Sequence, residues 1–310
     1  MRKAAIDIGS NSVLLTIEES SPEGWRMVYE STDVTSLGEG TKETGLLSEG
    51  GIERTLRALR NAFRIAAENH CDLIVAAATM AARIAGNTPE FISRAKKQGT
   101  PIIVLTGEQE AELGFRSVAD DAMFSSSRRI SIIDVGGQST ELVTADRDGN
   151  GWRVLFRRSY PIGTLGLRGG VLHDESPDAR ALLKAVCEID DTIGLVYLPN
   201  QCGQVIALGA TGTNMITIRE GMSEWDPKRV HGARLDYEEV SKAVGWLCGM
   251  TDAQRRAVKG MEPGREKTLH IGALILERFM HAARALGCSV SVRGWRHALI
   301  EQGIPETISR

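Results

Sequence analysis

Three glycine-containing segments of this chain have the residue types needed to hold an anion. Gly9-Ser10-Asn11-Ser12 and Gly136-Gly137-Gln138-Ser139-Thr140 each follow an apolar run that ends in an aspartate, Asp7 and Asp134, and Gly209-Ala210-Thr211-Gly212 follows the apolar run 205–208. Glycine lets backbone approach a ligand, and successive N–H groups with hydroxyls converging on one point form an anion nest. The third segment leads into a predicted helix, whose N-terminal dipole also favours an anion. Several such turns in one chain suit a ligand with two or more phosphates. A carboxylate beside a phosphate nest repels the ligand unless a divalent cation mediates, so Asp7 and Asp134 imply Mg²⁺ or Mn²⁺. Glu141 is a further candidate for the metal or its water, the plainer alternative being a solvated strand residue. Glu108, Glu110 and Glu112 open another predicted helix. At 100° per residue Glu108 and Glu112 fall together and Glu110 lies roughly opposite. A glutamate near bound phosphate could serve as general base for water, whereas a charged first turn favoured by the helix dipole fits equally well.

The elements that must position these residues read as a repeated plan. Residues 3–30 give three short strands, followed by a Ser48-capped helix with Ile52, Leu56, Leu59 and Phe63 at helical spacing. Strands are then predicted at 72–79 and 101–105, and a helix at 107–122. The plan restarts with strands over 128–137, 138–146 and 151–159. A helix capped by Ser176, a strand at 204–209, a helix with an Asp236/Glu239 capping box, a long helix at 264–286, a last strand and a helix at 294–302 complete it. Aligning Asp7-Ile-Gly-Ser-Asn-Ser12 with Asp134-Val-Gly-Gly-Gln-Ser139 gives an offset of 127 residues, and Leu15 then falls on Leu142. The pattern predicts a duplicated α/β fold with domains at 1–125 and 126–310, the terminal helix packing back on the first. The expected active site is the cleft between the copies.

Composition narrows the function class. The chain has 310 residues, a formal net charge of −3, 42% hydrophobic and 25% charged residues, which suits a globular enzyme and argues against a nucleic-acid coat or a disordered chain. The longest uncharged stretch, 192–218, contains a proline and four glycines and predicts no membrane span. Five cysteines without C-x-x-C spacing predict reduced thiols and a cytoplasmic protein rather than a disulfide framework or zinc ribbon. No phosphate-binding loop ending in Gly-Lys-[Ser/Thr] is present. Acid-free basic stretches at 151–170 (Arg153, Arg157, Arg158, Arg168) and 278–297 (Arg278, Arg284, Arg293, Arg296) suggest a track for a polyanion, or solvated faces.

Together these residues identify a resemblance. The sequence resembles the exopolyphosphatase / guanosine pentaphosphate phosphatase family, within the superfamily of sugar kinases, heat-shock chaperone ATPases and actin. The motifs are Asp7–Ser12, Thr79-Met-Ala-Ala-Arg83 with Asn87, Gly107-Glu-Gln-Glu-Ala-Glu-Leu113, Asp134–Glu141, Gly209-Ala-Thr-Gly-Thr213, and Arg265 leading to Gly272-Ala-Leu-Ile-Leu276. The resemblance implies two ribonuclease H-like domains of the actin-like ATPase superfamily, in the short two-domain form. It implies Glu110 as the base that activates water, Asp134 and Glu141 as metal-associated acids, and Arg83 as a phosphate-binding arginine. The implied reaction is Mg²⁺-assisted removal of terminal phosphate from inorganic polyphosphate. Hydrolysis of guanosine pentaphosphate, or binding of polyphosphate or guanosine tetraphosphate by a low-turnover sensor, is the alternative. A homodimer without nucleic-acid partners is the expected state. The chain departs from the family at Gln138, where a third glycine is usual, at Leu14, and in the terminal Ser291–Ala298 pattern.

Overall fold

A computed structural model describes residues 1–119, 121–124, 126–149, 151–194 and 201–304. It divides into two compact units, Met1–Leu113 with Trp295–Arg310, and Gly114–Gly294.

In the first unit, β1 (Arg2–Ile8), β2 (Ser12–Ser21) and β3 (Gly24–Val34) form consecutive antiparallel hairpins. A short α1 (Thr41–Thr44) leads to α2 (Glu49–Glu68), whose N-cap Ser48 accepts from Gly51 N–H as the sequence predicts. Ile52, Leu56 and Leu59 of α2 are buried against the sheet, and Phe63 is half-buried. Then come β4 (Leu73–Ala78), α3 (Met80–Ile84), α4 (Thr88–Lys97), β5 (Ile103–Val104) and α5 (Gly107–Ala119). The strand predicted over 101–105 shrinks to two residues because it pairs only with the end of β4. The sheet order is β3-β2-β1-β4-β5, with β1, β4 and β5 parallel.

The second unit repeats this order. Hairpin-connected β6 (Arg129–Val135), β7 (Thr140–Asp148) and β8 (Gly151–Tyr160) are followed by α6 (Thr164–Gly169), α7 (Ala179–Ile193), β9 (Gln204–Leu208) and α8 (Gly209–Arg219). α9 (Pro227–Val230), β10 (Arg234–Asp236), α10 (Tyr237–Cys248), α11 (Asp252–Arg256), α12 (Leu269–Ala282) and β11 (Gly287–Val290) complete it. From the other edge the order reads β8-β7-β6-β9-β11-β10, which is the first sheet's plan with β10 added antiparallel at the end. The Asp236/Glu239 capping box forms as read. Strand ends shift by up to two residues, and two helices start later than predicted. Asp178 rather than Ser176 caps α7, since its carboxylate accepts from Ala181 N–H. The helix expected over 264–286 is ordered only as α12, because Gly264–Thr268 turn before it.

α13 (Trp295–Gln302) belongs to the first unit. Its Trp295, Ala298, Leu299 and Ile300 pack with Ala5, Ala77, Leu105 and Leu113, and Lys3 Nζ donates to the Ile300 carbonyl at 2.8 Å. All five cysteines are free thiols. Among the described residues no helix is long and apolar enough to cross a membrane.

Candidate active site

The two aspartate-led turns are built alike. Gly9 N–H donates to the Ser12 carbonyl at 2.9 Å, and Gly136 N–H donates to the Ser139 carbonyl at 2.9 Å. A third loop returns onto each turn at the same offset: Gly38 N–H donates to Ser10 O at 2.7 Å, and Leu165 N–H donates to Gly137 O at 2.7 Å. The turn carbonyls are thus bonded within each unit. The approach is close enough that a Cβ on Gly163 would lie 2.5 Å from Gln138 N, and one on Gly136 would lie 2.8 Å from Ser139 O. Ser10, Asn11, Ser12, Ser139 and Thr140 are buried, and Thr140 Oγ1 donates to Ile162 O at 2.8 Å, so Thr140 braces its turn. Neither Asn11 nor Gln138 has a positive φ, which is why an amide residue can stand in each turn without backbone strain. Gln138 is 2% exposed.

The third segment is not a loop. Gly209, Ala210, Thr211 and Gly212 form the first turn of α8, and Leu208 at the N-cap offers no side-chain cap. That leaves the turn's backbone N–H groups without an intrahelical partner. Gly209 has φ 77°, and a Cβ there would stand 2.9 Å from Asp134 Oδ1. The glycine therefore serves both the backbone conformation and the approach of the carboxylate.

Asp134 and Glu141 are direct cross-strand partners on β6 and β7. Partners in an antiparallel pair project to one face, where two carboxylates repel unless a cation or a proton lies between them. Ser159 Oγ donates to Glu141 Oε1 at 2.7 Å and orients it. Among the described residues no group of three or more His, Cys, Asp and Glu side chains converges as a metal cage. A pair of hard oxygen donors nevertheless fits Mg²⁺, which usually takes one or two carboxylates and completes its shell with water and phosphate oxygens. Asp7 has a different setting: its cross-strand partner is Leu14, and Arg296 Nη1 lies 3.8 Å from its Oδ2.

The structure of α5 separates Glu108 from Glu110 by exposure. Thr106 Oγ1 accepts from Gln109 N–H, and Gln109 Oε1 accepts from Thr106 N–H, a reciprocal cap that fixes the start of the helix. Glu108 is then exposed, whereas the Glu110 side chain is 11% exposed. Arg83 Nη1 donates to Glu110 Oε2 at 2.7 Å and to Leu105 O at 3.0 Å. Burial raises the Glu110 carboxyl above its ordinary range, and the Arg83 guanidinium only partly opposes this. Arg83, for which the resemblance implies a phosphate-binding role, sits in direct contact with the candidate base.

The Ppx/GppA phosphatase family matches residues 16–306. The chain belongs to this family. Membership makes it an enzyme of phosphoanhydride hydrolysis, with the duplicated actin-like fold seen in family structures. Exopolyphosphatase 2 of Mycobacterium tuberculosis is 28% identical over 296 residues, covering 91% of each chain. The crystal structure of the Aquifex aeolicus Ppx/GppA family member is 29% identical with a TM-score of 0.78, covering 96% of each chain. An exopolyphosphatase from Cytophaga hutchinsonii shares the fold, with 19% identity, a TM-score of 0.85 and coverage of 98% of this chain and 99% of that one.

The acid-free arginine stretches need correction. Arg168 binds Asp252, Arg278 binds Asp190, and Arg293 binds Asp121 and the Ser117 carbonyl. Their acids come from distant parts of the sequence, so an acid-free stretch in this family member is not a continuous basic surface. Arg153, Arg158 and Arg284 remain exposed. Sequence reasoning missed what Arg296 does. It is a buried ion-pair residue of the first unit, and its partners Thr16 and Glu30 are 280 and 266 residues away.

Proposed function

We propose that this family member hydrolyses the terminal phosphate of inorganic polyphosphate, with Glu110 as the general base. Glu110 takes a proton from water as the water oxygen bonds to the terminal phosphorus. The phosphoanhydride bond breaks, and the shortened chain leaves on its own phosphate oxygen. The observation that carries the assignment is that Glu110 is withdrawn from solvent on the helix where Glu108 is exposed, with its carboxyl pKa raised toward the range useful for proton transfer. Backbone N–H groups of the 9–12 and 136–140 turns and of the first turn of α8 bind phosphate oxygens, and Arg83 adds a positive charge beside the base. Mg²⁺, when bound at Asp134 and Glu141, supplies charge neutralisation for the phosphates.

A second reading, removal of the 5′-terminal phosphate of guanosine pentaphosphate, uses the same residues and is favoured by the family's scope. Phosphate release is to be measured from long polyphosphate, tripolyphosphate and guanosine pentaphosphate, with Mg²⁺ and with a chelator. Fastest Mg²⁺-dependent release from polyphosphate supports the first reading, and fastest release from guanosine pentaphosphate replaces it with the second. Binding of either ligand without release would instead indicate a sensor.

A further inference from the structure

The duplication makes Asp7 and Asp134 equivalent, yet their surroundings differ in a way that divides their roles. Each ends its first strand and precedes a turn with the same hydrogen bond. At the offset of 127 residues, however, the partner of Asp134 is Glu141 and the partner of Asp7 is Leu14. An acid pair exists in one copy and not in the other.

Arg296 occupies the face where the second acid would stand. Ala5 pairs with Thr16 and Asp7 with Leu14 across β1 and β2, and Thr16 pairs with Glu30 across β2 and β3. Residues two apart on a strand share a face, so Ala5, Asp7, Thr16 and Glu30 look to one side of the sheet. α13 packs on that side through Trp295 and Leu299 against Ala5 and Ala77. The packing delivers Arg296, whose side chain is 10% exposed. Its Nε donates to Thr16 Oγ1 at 2.8 Å, Nη2 donates to Glu30 Oε1 at 2.8 Å, and Nη1 is left 3.8 Å from Asp7 Oδ2. A buried guanidinium stays charged and demands anionic partners.

We propose that Arg296 is the counter-charge of Asp7, so that the divalent cation belongs to Asp134 and Glu141 alone while Arg296 acts as a positioning residue for the first phosphate turn. A divalent ion on Asp7 would have to share the carboxylate with a fixed positive charge held by two further bonds. The assignment of the cation to Asp134 rests on the function proposed above; the assignment of Arg296 to Asp7 stands on the geometry of the first unit.

The test uses Mn²⁺ as a spectroscopic probe, with free ion followed by electron paramagnetic resonance in the full-length protein and its variants. The expected result is one Mn²⁺ site, weakened at least tenfold by Asp134→Asn and changed less than about threefold by Asp7→Asn. Arg296→Met should add a second Mn²⁺ site that Asp7→Asn removes again, and Arg296→Lys should not. Asp7→Asn weakening the wild-type Mn²⁺ site as much as Asp134→Asn does would overturn the proposal. Thermal unfolding in chelator supplies a metal-free arm: Asp7→Asn should cost less in the Arg296→Met background than in the wild type. An equal cost in both backgrounds would also overturn the pairing. If Arg296→Met does not fold, Arg296→Gln, which also removes the charge, takes its place in this cycle. Absence of Mn²⁺ binding by every protein, with the Asp7–Arg296 coupling intact, would refute the cation reading of the proposed function and leave the Arg296 assignment supported.

Discussion

At the scale of single residues, the proposed chemistry rests on Glu110 and the arginine that touches it. A general base works only when ionised, and burial has moved the Glu110 carboxyl above the ordinary ~4.3 of a glutamate. kcat/KM should therefore fall as pH drops through a pKa higher than that of an exposed glutamate. Because Arg83 lowers the Glu110 pKa, Arg83→Met should move this acid limb to still higher pH, which a pH–rate profile will read. The same shift has a consequence for stability. A carboxyl whose folded pKa is raised adds stability that is fully present below the unfolded pKa and lost as pH rises through the folded one. Glu110→Gln should accordingly unfold at a higher temperature than the wild type above that pH, with the difference vanishing on acidification. A Glu110→Gln protein less stable than wild type at pH 8 would contradict the sign of the shift. The sequence showed that one of three glutamates stood apart on its helix; which one is withdrawn from solvent depends on the face that packs, and helical periodicity does not contain that fact.

At the scale of elements, the turns are held by contacts that tolerate little added volume. A methyl on Gly136 would press within 2.8 Å of the Ser139 carbonyl, whereas one on Gly9 would have 3.3 Å to Ser12 O. Gly136→Ala should cost ~1–3 kcal/mol in urea unfolding, and Gly9→Ala distinctly less. Gln138 sits in a backbone conformation open to any residue and is buried, so Gln138→Gly should lower stability and leave phosphate affinity equal or weaker. A tenfold gain in hydrolysis by Gln138→Gly would favour the sensor reading instead. The order of elements along the chain and the duplicated turns were legible because both copies keep the same D-[IV]-G opening. The identity of the 209–213 segment as helix rather than loop was not, because two glycines in five residues lower helical propensity and only the packing of α8 overrides it.

At the scale of the whole molecule, the last helix completes the first unit's core. Leu299 is 4% exposed there, beside Trp295 and Leu113. Leu299→Ala should cost ~2–5 kcal/mol, measured by chemical denaturation. This closure was legible only as a broad expectation. The buried bonds of Arg296 join positions 280 and 266 residues apart, and an isolated Arg in a basic stretch looks the same whether it is solvated or paired. By the proposed function, a buried glutamate in a phosphohydrolase of this family turns water into the nucleophile for polyphosphate. The most direct measurement is orthophosphate release from long-chain polyphosphate by wild type and Glu110→Gln side by side in Mg²⁺, with polyphosphate binding measured on both. We expect binding to persist and turnover to fall by ~10²-fold or more. Near-equal turnover in the two proteins, or loss of turnover in Glu108→Gln in its place, would contradict the account.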